Sequence, residues 1–161
     1  MPTYRRANDS DAATITAFWN LTRVQNMLNG FGYQVVPISV EEWKRDMANR
    51  SKVFLALDDS NNLRGVVEFI VTRSTREGWM ARWAVDPNLT LAQIRTHRNA
   101  VLTALWRALP NDWTVWVYKV PAGAVRLREY LDTRLPFTDE VSTIGILGQV
   151  RNYGPITAGN L

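Results

Sequence analysis

Residues Trp79 to Val85 read as a strand and Leu91 to Leu109 as a long helix, and the turn joining them, Asp86-Pro87-Asn88-Leu89-Thr90, holds no glycine. A strand that feeds a helix start is where many α/β proteins hold a phosphate, because the first amides of the helix are unpaired and its dipole favours negative charge. Such loops normally carry glycines, which let the backbone close around the ligand. The chain therefore predicts the architecture of an anionic-ligand site without its usual phosphate chemistry. Thr90-Leu91-Ala92-Gln93 instead fits a capping box, in which the threonine oxygen takes an early amide and the glutamine returns to the cap.

At 161 residues the chain is expected to form one domain, burying roughly 70% of its unfolded surface. Cysteine is absent, which excludes disulfides, thiolate nucleophiles and cysteine metal sites, and the single histidine, His97, argues against a histidine metal site; no metal is expected. The start lacks the apolar core of a signal peptide, and no apolar run approaches the roughly 20 residues that cross a bilayer. The expected location is cytoplasmic, or a particle assembled there, with no membrane partner. The net charge is +4 and nearly all arginine, with Lys44, Lys52 and Lys119 the only lysines. Arginine suits acidic partners and nucleic acid, but these arginines are dispersed, the pattern of solvated faces and ordinary ion pairs. Seven tryptophans are many for this length. Most fall at core periodicity, and tryptophan with arginine is also enriched at interfaces.

The order of elements sets the class. A strand over 3–6 precedes a helix capped by Asp9 or Ser10, with Ile15, Phe18 and Trp19 on one face, running to a stop at Gly30. Ser39-Val40-Glu41-Glu42 is a capping box for a short helix that pairs Trp43 with Met47. Strands over 52–57 and 63–72 flank the turn Asp58-Asp59-Ser60-Asn61-Asn62, and 73–78 turns the chain into the strand 79–85. The helix from Leu91 places Ile94, Val101, Leu102, Leu105 and Leu109 on an apolar stripe ended by Pro110. Residues 113–120 are apolar on both faces, as in a strand covered on both sides. A helix over 122–134 and a strand over 141–150 follow. The expected fold is α+β (mixed α/β), a mostly antiparallel twisted sheet of six to seven strands flanked by about four helices. Residues 1–150 would form the domain and 151–161 a C-terminal arm, since Gly154-Pro155 and Gly159 oppose a regular strand or helix while Tyr153, Ile156 and Leu161 offer apolar anchors. Such an arm is expected to dock wherever it is ordered.

The order β-α-α-β-β-β-α-β-α-β resembles the GNAT (Gcn5-related N-acetyltransferase) fold over nearly the whole chain. Tyr4-Arg5-Arg6-Ala7-Asn8-Asp9-Ser10-Asp11-Ala12 with Ile15 is similar to the family's opening strand and capped helix. Val53-Phe54-Leu55-Ala56-Leu57-Asp58-Asp59 through Leu63-Arg64-Gly65-Val66-Val67-Glu68-Phe69 is similar to its central hairpin. Ala84-Val85-Asp86-Pro87 stands where its fourth strand meets the cofactor loop, and Ala124-Val125-Arg126-Leu127 with Pro136-Phe137 resembles its last helix. The family's Arg/Gln-x-x-Gly-x-Gly/Ala segment wraps the pyrophosphate of acetyl-CoA; the corresponding Asn88-Leu89-Thr90-Leu91-Ala92-Gln93-Ile94-Arg95 lacks both glycines. Losing two charge-assisted hydrogen bonds would cost roughly 3 to 6 kcal/mol, about a hundred- to ten-thousandfold in affinity. Arg95 and Arg98 are placed to recover part of that, or else form an exposed basic helix face.

What the resemblance implies chemically is a fourth-strand amide that polarises the thioester, a carboxylate or water that takes the amine proton, and a tyrosine that protonates the leaving thiolate. Tyr130 matches that tyrosine and Tyr118 is a second candidate, each with the alternative of a core or boundary residue. Glu68 is the candidate base, with the alternative of an ion pair to Arg64 on the same strand face. His97 reads as solvent-facing. The candidate cofactor residues are Val85, Leu89, Thr90, Leu91, Arg95 and Arg98.

Three functions compete. The missing glycines, the tryptophans, the dispersed arginines and the arm favour a non-catalytic GNAT-like structural or interaction protein, with no cofactor. In loop loss and size the chain resembles GNAT-like virion proteins of tailed bacteriophages, and its partners would be other protein chains, or copies of itself, held through exposed tryptophan and arginine and through 151–161. The alternative is an acetyl-CoA-dependent N-acetyltransferase with an atypical cofactor loop. The third is nucleic-acid binding, which needs a continuous basic groove with aromatics in it.

Overall fold

The computed structural model describes residues 2–143 and 148–161. The elements are β1 (Thr3–Arg6), α1 (Ala12–Trp19), α2 (Thr22–Phe31), α3 (Val40–Asn49), β2 (Ser51–Leu57), β3 (Leu63–Thr72), β4 (Glu77–Val85), α4 (Leu91–Ala108), β5 (Thr114–Pro121), α5 (Val125–Asp132), β6 (Phe137–Ser142) and β7 (Gly148–Thr157), with 3-10 turns at Asp9–Asp11 and Ala158–Asn160. They build one mixed α+β sheet in the order β1-β2-β3-β4-β5-β7-β6. Every pairing is antiparallel except β4 with β5, which is parallel. One core packs α4 and α5, through Leu102, Leu105, Leu127 and Leu131, on Phe69 and Val117; another packs α1, α2 and α3, through Ile15, Leu28 and Trp43, on Leu55 and Val66.

The single helix expected to run to Gly30 is two. Asn20 breaks it by turning its amide to Ile38: Nδ2 donates to the Ile38 carbonyl at 3.0 Å and Oδ1 accepts the Ile38 amide at 2.9 Å. The helix stops at Gly32, in the left-handed conformation at φ 111° that glycine adopts without a Cβ penalty, so Gly30 stays helical. The cap at the start is Asn8, which accepts from the Ser10 amide at 3.0 Å while Asp11 accepts from the Asn8 amide at 2.8 Å.

The C-terminal third differs most from expectation. The strand expected over 141–150 straddles β6 and β7, and 144–147 lies outside the described residues. The expected arm is largely strand: 151–157 belongs to β7, which pairs with β5 as far as Thr157 and with β6 as far as Tyr153. Tyr153 is fully buried and donates to Asp132 Oδ1 at 2.6 Å. Gly154 does not end the strand. It lies at φ 110° where β7 crosses β5 so closely that a Cβ would sit 2.6 Å from the Val115 carbonyl oxygen. β5 is covered on one face only: Val115, Val117 and Val120 are buried, while Tyr118 is 46% exposed and stacks on half-buried Trp116 at 5.3 Å. Of the seven tryptophans, Trp19, Trp43 and Trp106 are buried and the other four half-buried.

Candidate active site

β4 and β5 are paired only at Glu77↔Thr114, Gly78↔Val115 and Trp79↔Trp116. Beyond Trp79, β5 continues against β7 and β4 is held by β3 alone, with a register shift between Glu68 and Phe69 that leaves Ala81 without a cross-strand partner. The far edge of β4 therefore lacks a strand partner among the described residues. A cavity of about 390 Å³ opens there between the starts of α4 and α5 and the end of α2, lined by Phe31, Trp83, Val85, Leu91, Arg95 and Arg98 among others.

The glycine-free turn is pinned rather than pliant. Asp86 is fully buried, and Arg23 grips its carboxylate with Nε and Nη2, both at 3.0 Å. Arg64 Nη1 adds a bond at 2.9 Å and the Asn88 amide one at 3.0 Å. Burial alone would push this carboxyl up, but the bonds from Arg23, Asn88 and Arg64 prevail and hold it below the usual carboxylate range. The capping box of α4 is complete: Thr90 Oγ1 accepts the Gln93 amide at 3.2 Å and Gln93 Oε1 accepts the Thr90 amide at 2.9 Å. The Leu91 and Ala92 amides, the first two of the helix, have no intrahelical acceptor.

Four of the six candidate cofactor residues, Val85, Leu91, Arg95 and Arg98, line this one cavity; Thr90 is the cap, and Leu89 faces a separate hollow with His97. Arg95 is half-exposed, 3.7 Å from Glu129 Oε2. Arg98 is not on an exposed basic face: it is 8% exposed and donates from Nη1 to the Arg126 carbonyl at 2.5 Å, tying α4 to α5.

The three candidate catalytic residues are not brought together, and none lines this cavity. Tyr130 is buried, accepts from Trp106 Nε1 at 3.3 Å and carries the Arg134 guanidinium 3.9 Å from its ring centre. Tyr118 faces outward from β5. Glu68 is fully buried, bonded by Ser51 Oγ and Arg82 Nη1, each at 3.0 Å. Its partner is Arg82 and not Arg64, because the β3–β4 register sets Glu68 opposite Arg82 while Arg64 serves Asp58 and Asp86. Burial pushes the Glu68 carboxyl up, against the pull of Arg82. His97 is buried, 3.4 Å from the Tyr4 hydroxyl, and burial pushes its imidazole down.

A second cavity, of about 380 Å³, has Trp19, Tyr33, Val36, Glu42, Arg82 and Trp83 in its walls. Trp83 lines both cavities. Its indole Nε1 donates to Tyr33 Oη at 2.8 Å, and Phe31 stacks on it at 6.1 Å. Burial pushes the Tyr33 phenol well up. The α3 box is only half formed: Ser39 Oγ accepts the Glu42 amide at 3.2 Å, but the Glu42 carboxylate does not return to the cap and lines the cavity instead. Sequence reasoning passed over Tyr33 and Glu42. Tyr33 falls between the expected helix stop at Gly30 and the Ser39 cap, and its one signal in the sequence is the density of apolar residues there, Tyr33, Val35, Val36 and Ile38.

The fold is the GNAT fold. The structure is similar to a GNAT superfamily phosphinothricin acetyltransferase from Sinorhizobium meliloti in complex with AcCoA, at TM-score 0.66 and 17% identity over 98% of this chain and 90% of that one. It is similar to ribosomal-protein-S5-alanine acetyltransferase from Vibrio fischeri, at TM-score 0.67 and 16% identity over 97% and 93%. A variant of spermidine N-acetyltransferase from Vibrio cholerae matches at TM-score 0.62 and 18% identity over 98% and 94%. No protein-family profile and no curated protein matches the chain. These neighbours correct the expectation of a non-catalytic structural or virion component without a cofactor: they are acetyltransferases, one holding AcCoA, and point to the acetyl-CoA alternative. The absent glycines removed one way of holding phosphate, not the cleft. Among the described residues no helix is long and apolar enough to cross a membrane, and no group of three His, Cys, Asp or Glu is placed to hold a metal.

Proposed function

We propose that this protein is an acetyl-CoA-dependent N-acetyltransferase whose acceptor is a cationic amine. The observation that carries the reading is the pair of cavities meeting at Trp83, one beside the unpaired edge of β4 and the start of α4, the other walled by aromatics with a carboxylate among them. Phe31, Val85, Leu91 and Ile94 offer an apolar wall suited to a pantetheine arm, and the Leu91 amide with Arg95 would hold phosphate charge. Acetyl-CoA, when bound, supplies an activated acetyl thioester.

The chain's own groups then divide the proton work. Glu42 forms no hydrogen bond or ion pair through its carboxylate among the described residues, which leaves it free to hold an ammonium group and take its proton. Arg82 also lines that cavity, but its guanidinium is engaged at 3.0 Å by both Asp46 and Glu68. Tyr33 accepts from Trp83 through its oxygen and keeps its own proton, which suits it to donate toward a leaving thiolate. Trp19 and Trp83 narrow the space open to water.

The test is thiol release from acetyl-CoA with a panel of amines, beside calorimetric titration of acetyl-CoA alone. Saturable binding and amine-dependent release are expected, with a KM toward the upper end of the usual range, about 1 mM, because the glycine cradle is missing. Tyr33→Phe should lower kcat while acetyl-CoA still binds, and Tyr130→Phe should leave turnover in place. Neither binding nor release with any amine would overturn the proposal.

A further inference from the structure

At the other end of the sheet lies a third cavity, of about 440 Å³, lined by Arg6, Arg50, Lys52, Thr72, Arg73 and Trp79 among others, with no Asp or Glu in its lining. Four cations converge there from four elements or their flanks: Arg6 ends β1, Arg50 follows α3, Lys52 is the second residue of β2 and Arg73 follows β3. Outside it, Arg5, Arg23, Arg64, Arg76, Arg82 and Arg151 each lie within 3.0 Å of a carboxylate oxygen, whereas Arg45, Arg107 and Arg126, like the basin's arginines, lack a close carboxylate among the described residues but do not converge on one cavity. In this basin Arg6 and Arg73 have no side-chain hydrogen bond or ion pair among the described residues, and Arg50 reaches Asp46 only at 3.7 Å. Lys52 finds a backbone carbonyl at 3.4 Å and the face of Trp113. Burial, with the charges of Arg6 and Arg73 behind it, pushes the Lys52 ammonium down.

Like charges held together without counter-charge cost stability, and the end of α3 does not account for them. Helix C-terminal carbonyls favour a nearby cation, which explains Arg50 but not Arg6 and Arg73, which come from separate strands. Trp79 gives the basin an apolar wall, and the volume falls in the range of about 300–1,000 Å³ typical of small-ligand sites. Arg5, next to Arg6 in sequence, and Arg76, three residues after Arg73, are tied to Asp11 and Asp112 and do not line the basin. Trp79 and Val85 sit six residues apart on β4, about 20 Å along a strand, so this basin is separate from the acetyl-CoA cleft.

We infer that the basin is a second ligand site, for a phosphorylated small molecule of nucleotide size, with Arg6, Lys52 and Arg73 holding the phosphates and a planar ring packing on Trp79. It stands independently of the acetyl-transfer reading. The test is calorimetry of the full chain with ADP, pyrophosphate and adenosine at low and high salt. ADP and pyrophosphate should bind, more weakly as salt rises, and adenosine should not. Measured in an Arg95→Gln background, which removes a phosphate-holding group from the other cleft, Arg6→Gln and Arg73→Gln should each weaken ADP about ten- to a hundredfold, while Arg107→Gln, whose side chain lines neither cavity, leaves ADP binding unchanged. Without ligand at low salt, Arg73→Gln should melt no lower than the parent, because it relieves repulsion, and this shows that the variant is folded. The inference is overturned if neither phosphate probe binds at low salt, if binding survives both substitutions, or if a short oligonucleotide binds through these residues and ADP does not.

Discussion

α3 begins at Ser39-Val40-Glu41-Glu42 and α4 at Thr90-Leu91-Ala92-Gln93, the same signature of a hydroxyl cap followed three residues on by a side chain able to reach back. In α4 the reach is made, and Gln93 closes on the Thr90 amide in front of a turn fastened by Asp86. In α3 the hydroxyl caps but the carboxylate turns away into an aromatic cavity. A helix can stop its end with the hydroxyl alone, and what the fourth residue then does depends on the walls around it. One end closes on itself; the other leaves a carboxylate in a cavity wall.

The sharpest way to break this contrast is at the fastening. Asp86→Asn removes a buried carboxylate that serves two arginines and should cost about 3 kcal/mol of stability, read by denaturant melts, because Arg23 and Arg64 lose their counter-charge. A loss below 1 kcal/mol (about a third of that, on the same principle) would mean that the turn is not held as described. Glu42→Gln should do the reverse. The melting temperature should stay close to the parent's, while kcat/KM for acetyl transfer falls about ten- to a hundredfold, about 1.4 to 2.8 kcal/mol. A large loss of stability in that variant would place Glu42 among the capping groups after all. Thr90→Ala should cost about 1 kcal/mol, and Gln93→Ala less, with acetyl-CoA binding little altered.

The smallest expected effect is one of pH, at the middle of α4. Burial depresses the His97 pKa in the folded chain, so the unfolded chain binds the proton more readily. The contribution of neutral His97 to stability is complete above the unfolded value, near 6.5, and is lost as pH falls from there through the lower folded value. Stability measured across that window should decline with acid, and the His97→Gln variant should flatten that part of the curve.

Much of this was legible locally. The hydroxyl caps at Ser39 and Thr90, the hairpin around Asp58, the apolar stripe of α4 and the order of strands all follow from residues near one another in sequence. What was hidden depends on partners far away in the chain. Asn20 breaks a helix because Ile38 is across from it. Residues 151–157 look like a tail by composition and become a strand because β5 pairs with them as far as Thr157 and β6 as far as Tyr153. His97 is buried because Tyr4 lies over it, and Tyr33 joins a site because Trp83 on a distant strand donates to its hydroxyl. The absence of glycine from 86–90 was read correctly as a local fact, while the cleft beside it arises from two strands that part, which no local pattern records.

That parting has a mechanical consequence. The seven-stranded sheet is two plates, β1 through β4 and β5 with β7 and β6, and along their common edge only the three residue pairs at Glu77, Gly78 and Trp79 are stitched. Pulled apart, the molecule would tear from the cleft toward that seam as a book opens toward its spine, and the amides of the seam would be the last of that edge to exchange with solvent.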